Sequence, residues 1–260
     1  MKSVRIFLSV FSVLVFLSCH KNSDYGIPEV DSSIIQKDFM NWWEYYSANI
    51  ILSSDFIPLD ENSKIINKDN FIQLLTSGEY IPIKLNSSDK LIYYKLFKLE
   101  PFSAASIKPT IINESSYSFE NFKREGIEFP EFNFKDLDGN VYNKENTKEK
   151  IIVLKCWFIH CHQCVQEMPE LNRLVKEYEN RKDIIFVSLA TDTNQELERF
   201  LTKKTFNYAV VPNQKSYLTE TLNISTYPTH IIINKKGLIT KAVSNCKELA
   251  TALKKESLLK

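Results

Sequence analysis

The chain has 260 residues, 33 basic against 32 acidic side chains, 43% hydrophobic content and only 5 glycines. That length accommodates one large domain or two small ones, and the hydrophobicity is that of a folded chain. Balanced charge leaves no electrostatic footprint for nucleic acid. The scarce glycine, with no GxGxxG or P-loop pattern, argues against phosphate-cradling loops.

In chain order, Lys2 and Arg5 precede an apolar stretch over 6–17, followed by Ser18 and Cys19. A positive start and an apolar core too short to span a bilayer comfortably predict a signal peptide over 1–18. Cysteine after a small residue at the end of such a core resembles the lipobox of bacterial lipoproteins, although Phe16 and Leu17 are bulkier than the usual residues there. The resemblance implies a lipid anchor on Cys19, a polar tether over 19–30 and a mature chain in the cell envelope, facing the periplasm from a membrane.

Residues 31–50 carry Ile34, Ile35, Phe39, Trp42, Trp43, Tyr46 and Ile50, a spacing that predicts one helix with a broad apolar face. The adjacent tryptophans are read as packing residues. Short strands are expected over 55–60 and 79–85, with Pro82 near an edge or a strand start. A helix over 69–75 should close at Gly78, and 89–100 reads as a further strand. Residues 31–125 thus form an N-terminal α+β accessory region, ending in a boundary around 101–126 where Pro, Ser, Asn and Glu accumulate.

Beyond it the pattern changes. Phe132 and Phe134 alternate into Asp138-Gly139, a strand entering a tight turn with Val141 and Tyr142 on its return. Residues 151–157 are nearly continuously apolar, as for a strand covered on both faces. A helix over 165–179, kinked at Pro169, precedes a strand over 184–190 and a helix over 194–206. A strand over 208–211, a hairpin from 231–234 to 238–243 and a helix over 247–259 complete an α/β sheet spanning 126–260.

The chemistry concentrates at Cys161-His162-Gln163-Cys164, between the 151–157 strand and the helix after it. Cysteines three apart at a helix start can close a small disulfide ring. Unpaired amides and the helix dipole there acidify the first thiol, and thiols in such motifs have pKa values of roughly 3.5–7.5 against about 8.5 for a free one. Since the thiolate is the nucleophile of exchange, Cys161 is the expected attacker and Cys164 the resolving thiol. Of the other cysteines, Cys156 reads as a small buried hydrophobe; a Cys156–Cys246 bridge is the minor alternative.

These residues resemble the thioredoxin fold, a central mixed sheet flanked by helices, and within it the membrane-tethered TlpA/ResA-like thiol–disulfide oxidoreductases. Trp157 stands four before Cys161, Pro169 eight after it, and Tyr227-Pro228-Thr229 precedes an apolar strand as does the family's cis-proline loop. The resemblance implies that Tyr227 pairs through its backbone with a substrate chain, that Pro228 is cis, and that Trp157 and Thr229 shape the site. It implies a reductase without organic cofactor, fed by a membrane-embedded thiol electron donor and serving cysteine-containing envelope proteins. Two departures mark this sequence. Lys155 occupies the place where the family often has Asp or Asn, and His162-Gln163 stands in place of the Gly-Pro common in thioredoxin itself. Lys155 is read as snorkelling to the surface; buried, it would accept the Cys164 proton or lower thiol pKa values. His162 and Gln163 are expected to tune the site.

The rival reading is a copper or zinc carrier using these thiols with His160, His162 and His230. A thiol peroxidase would want Thr where Phe158 stands, and a scaffold lipoprotein would leave the motif idle. The preferred expectation holds no metal.

Overall fold

The structure is a computed structural model that describes residues 25–259. The expected signal peptide, the Cys19 lipidation site and the start of the tether lie outside the described residues.

The N-terminal sheet runs in the order β1 (Ile27–Pro28), β3 (Tyr80–Asn86), β4 (Tyr93–Lys98), β2 (Ile57–Leu59), with only the β2–β4 pair parallel. Strand β1 reaches only the end of β3, so Pro82 sits where β3 has a neighbour on one side alone and its missing N–H costs nothing. The expected single helix over 31–50 is instead two, α1 (Ser32–Ile35) and α2 (Phe39–Asn49). Asp38 caps a new helix by accepting the Asn41 N–H at 2.8 Å. The intervening Gln36 is buried and bonds to Lys98, Glu100 and Ser103 around the sheet. Helix α3 (Lys68–Thr76) ends at Gly78, whose φ of +69° suits glycine.

The expected boundary segment is largely an 18-residue helix, α4 (Ile107–Arg124). Its Ser and Asn content resembles a linker, but Ile107, Ile111, Phe119 and Phe122 fall at helical spacing and pack with Trp42, Phe71 and Leu75 in the N-terminal core. Pro109 lies in the first turn, where no intrahelical N–H is needed.

The C-terminal sheet has the order β11 (Ile239–Val243), β10 (Thr229–Ile233), β7 (Ile151–Trp157), β8 (Ile184–Ala190), β9 (Ala209–Val211). Strands β7, β8 and β9 are parallel, and β10 is antiparallel to β7 and β11. All seven residues of β7 are buried, and their two-residue period sorts them. Ile151 and Val153 pack with α6 (Met168–Glu177) and α8 (Cys246–Glu256). Ile152, Leu154 and Cys156 face Phe129, Phe134 of the β5 (Asn133–Lys135)–β6 (Val141–Asn143) hairpin, and a π-helical turn over Tyr217–Thr221. The helix α7 (Asn194–Leu201), capped by a Thr193–Glu196 box, is shorter than expected. Among the described residues no helix is long and apolar enough to cross a membrane.

Candidate active site

Strand β7 delivers the chain to Cys161, which caps α5 (His162–Gln166) as the Cys164 N–H donates to Cys161 Sγ at 3.2 Å. Cys161 and Cys164 form a disulfide with Cα atoms 5.2 Å apart. The expected helix therefore starts at His162 and breaks at Glu167, because Pro169 can neither donate to Val165 nor fit its ring against that carbonyl. Cys161 retains 7% of its surface and Cys164 none, so one sulfur is approachable and the other sealed. Ahead of the motif, the Ile159 N–H donates to Asp192 Oδ2 at 2.9 Å, fixing the approach to the cysteine. Nothing in the sequence pattern singles out Asp192.

Trp157, Cys161, Cys164 and Tyr227 share one apolar cluster. Trp157 is buried against Phe200 and Phe206. The Tyr227–Pro228 bond is cis, and the Tyr227 ring meets Phe158 edge-on at 5.4 Å. Thr229 is buried beside β7, opposite Cys156, and its hydroxyl donates to the Thr226 carbonyl at 2.7 Å. His160, His162 and Gln163 are exposed.

Lys155 does not snorkel. It lies on the face of β7 that α5 and α6 close, has 0% exposure, and is ion-paired with buried Glu167. Its antiparallel partner in β10, His230, is equally buried and brings Nε2 within 2.9 Å of Glu167 Oε1, without the alignment of a directed hydrogen bond. Burial lowers the Lys155 pKa, opposed by Glu167. Burial would raise Glu167, but contact with His230 and Lys155 holds it below its ordinary value. Burial lowers His230 as well, opposed by the contact with Glu167. Sequence reading missed Glu167. Its only signal was a carboxylate one turn beyond Cys164, on the helix face that carries Cys164 inward.

Cys156 is free, with burial pushing its pKa up to about 12. Cys246 is also free, so no Cys156–Cys246 bridge exists; burial and the neighbouring Glu170 push its thiol up to about 12. No group of three or more His, Cys, Asp or Glu among the described residues is placed to hold a metal ion, and His230 is sealed beneath the motif against Glu167.

A thioredoxin-like sheet with a Cys-x-x-Cys disulfide at a helix start against a cis-proline turn defines a class, the thioredoxin-like proteins. Residues 126–242 match the AhpC/TSA family. The chain is similar to the thioredoxin-like protein YneN of Bacillus subtilis, 28% identical over 118 residues that cover 45% of this chain and 69% of that protein. It is similar to the thiol–disulfide oxidoreductase ResA of Bacillus cereus at 25% identity, covering 45% and 68%. A solved thiol–disulfide oxidoreductase from Bacteroides vulgatus superposes with a TM-score of 0.46 at 27% identity, covering 51% of this chain and 96% of that one. The chain is a thiol–disulfide oxidoreductase of thioredoxin-like fold.

Proposed function

We propose that Cys161 and Cys164 are the redox pair and that the protein works as a reductase of cysteines in exported proteins. The observation that carries this reading is the unequal exposure of the two sulfurs beside the Tyr227–Pro228 turn. In the dithiol form, the Cys161 thiolate attacks one sulfur of a substrate disulfide, whose S–S bond breaks and releases the other sulfur as a thiolate. The Cys164 thiolate then attacks Cys161 Sγ, breaking the mixed disulfide and releasing the second substrate thiolate. Two electrons pass to the substrate, and the two cysteine protons balance its two thiols. The Tyr227 backbone and Pro228 present the substrate chain, a mode of recognition that tolerates varied side chains. Trp157 and Thr229 hold the floor of the site, and Lys155, His162 and Gln163 tune it.

Several further assignments belong to the same reading. Residues 1–18 are an export signal, Cys19 carries a lipid, 19–30 is a tether, 31–125 an accessory region and 126–260 the redox domain. The similarity to ResA, itself a thiol–disulfide oxidoreductase, supports the exchange chemistry, and an extracytoplasmic substrate and a membrane thiol donor are what the resemblance of the motifs implies. Redox titration with thiol alkylation tests the direction. A Cys161–Cys164 potential near about −270 mV supports a reductase, and one near about −120 mV reverses the assigned flow.

A further inference from the structure

The space beside the redox motif is not bounded by the C-terminal sheet alone. A cavity of about 560 Å³ opens between α2, α4 and the Thr226–Pro228 turn, and Gln163 of the motif lines it. A second cavity of about 300 Å³ on another flank of α4 again touches Thr226. Helix α4 therefore stands as a wall along the cis-proline turn. It is fixed there: Arg124 Nη2 donates to the Asn223 carbonyl at 2.7 Å and Asn121 Nδ2 to Ser244 Oγ at 3.1 Å. Lys241 closes the base by donating to the Ser53 carbonyl at 2.8 Å and pairing with Glu125.

The lining of the larger cavity has one sign of unmatched charge. Glu125 is neutralised by Lys241, and Glu248 accepts hydrogen bonds from Ser53 and Asn245. Glu114, half-buried, has no hydrogen bond or ion pair to its carboxylate among the described residues. Burial and the nearby Glu248 raise its pKa, the mark of an acid short of a cation. Trp43 and Tyr117 line the same space. Carboxylates with aromatic faces favour an organic cation, and no metal-holding cluster competes for the role among the described residues.

Resting on the reading that Cys161 attacks disulfides across the Tyr227–Pro228 turn, we propose that the N-terminal unit is the specificity element of the enzyme. The cleft between α2, α4 and that turn receives the substrate chain next to its cysteine and takes a lysine or arginine side chain against Glu114.

The test uses symmetric disulfides of short cysteine peptides with Lys, Ser or Glu near the cysteine, and measures kcat/KM for their reduction by the dithiol protein. The Lys peptide should exceed the Glu peptide by about tenfold at low salt, with the ratio shrinking as salt rises. Glu114→Gln, and Asn113→Arg on the exposed rim, should each collapse or reverse that ratio. Equal rates for the three wild-type peptides, or a ratio that both variants leave intact, would overturn the proposal. So would failure to reduce any peptide while a small neutral disulfide is reduced. Failure with the small disulfide too, or its survival of Cys161→Ser, would instead sink the redox reading beneath it.

Discussion

Lys155→Met isolates the pair beneath the redox motif. Wild type buries Lys155 completely and leaves Glu167 6% of its side-chain surface, so neither charge has water to fall back on. Removing the amine leaves the carboxylate with only the His230 imidazole, whose protonation burial disfavours, and stranding one member of a buried pair costs about 3–5 kcal/mol. The sign with pH follows from Glu167. Without Lys155 its folded pKa rises above the unfolded value of about 4.3, so the loss is absent near pH 4 and complete by about pH 8. In wild type Glu167 is depressed, and its contribution is present above the unfolded value and lost as pH falls. Both effects widen the gap toward alkaline pH. Urea unfolding of the disulfide form, with a slope of about 2–3 kcal/mol/M, should put the variant's midpoint roughly 1–2 M lower at pH 8 and much closer at pH 5. Lys155→Met/Glu167→Leu, which removes both charges, should regain most of the loss. A midpoint drop equal at both pH values, or a double variant that loses the sum of the two single losses, would refute the buried pair.

Cys164→Ser should accumulate a mixed disulfide between Cys161 and substrate, visible by non-reducing mass spectrometry, while Cys161→Ser should trap none; the reverse result would swap their roles. Gly78→Ala forces a side chain into φ +69° and sets its Cβ 2.7 Å from Ile112 Cδ1, and should cost about 1–3 kcal/mol in chemical denaturation. Lys68 has its pKa lowered to about 8 by burial and by Lys241. A depressed base carries its penalty at low pH, so wild type should gain up to about 3 kcal/mol on Lys68→Met between pH 7 and pH 10. A flat difference across that range would show that Lys68 stays charged.

The C-terminal sheet and its cysteine turn were legible because their cues are local. A continuous apolar strand, a cysteine pair at its end and a proline eight residues on are all set by neighbours in the chain, and β7, α5 and the break at Glu167 follow from them. The turn at Tyr227–Pro228 was legible through resemblance rather than pattern. Lys155 was misread for a definite reason: the surface reading prices a lone lysine, whereas its fate depends on two partners, 12 and 75 positions away in Glu167 and His230, that only strand pairing brings together. Seven buried positions in succession along β7 leave Lys155 no route outward, so the carboxylate had to come to it.

Helix α4 failed for the opposite reason. Its Ser and Asn residues, weak helix formers taken singly, obscured an apolar stripe that gains its stability only by packing on Trp42, Phe71 and Leu75. Reading a boundary there also hid the cleft, because the wall of that cleft is α4 and its other side is the Thr226–Pro228 turn. Two units joined by a flexible linker would present substrate to the cysteines with no fixed neighbour. A helix bonded to Asn223 and Ser244 holds acidic and aromatic side chains at a set place beside the turn, and a fixed neighbour is what allows one protein disulfide to be distinguished from another.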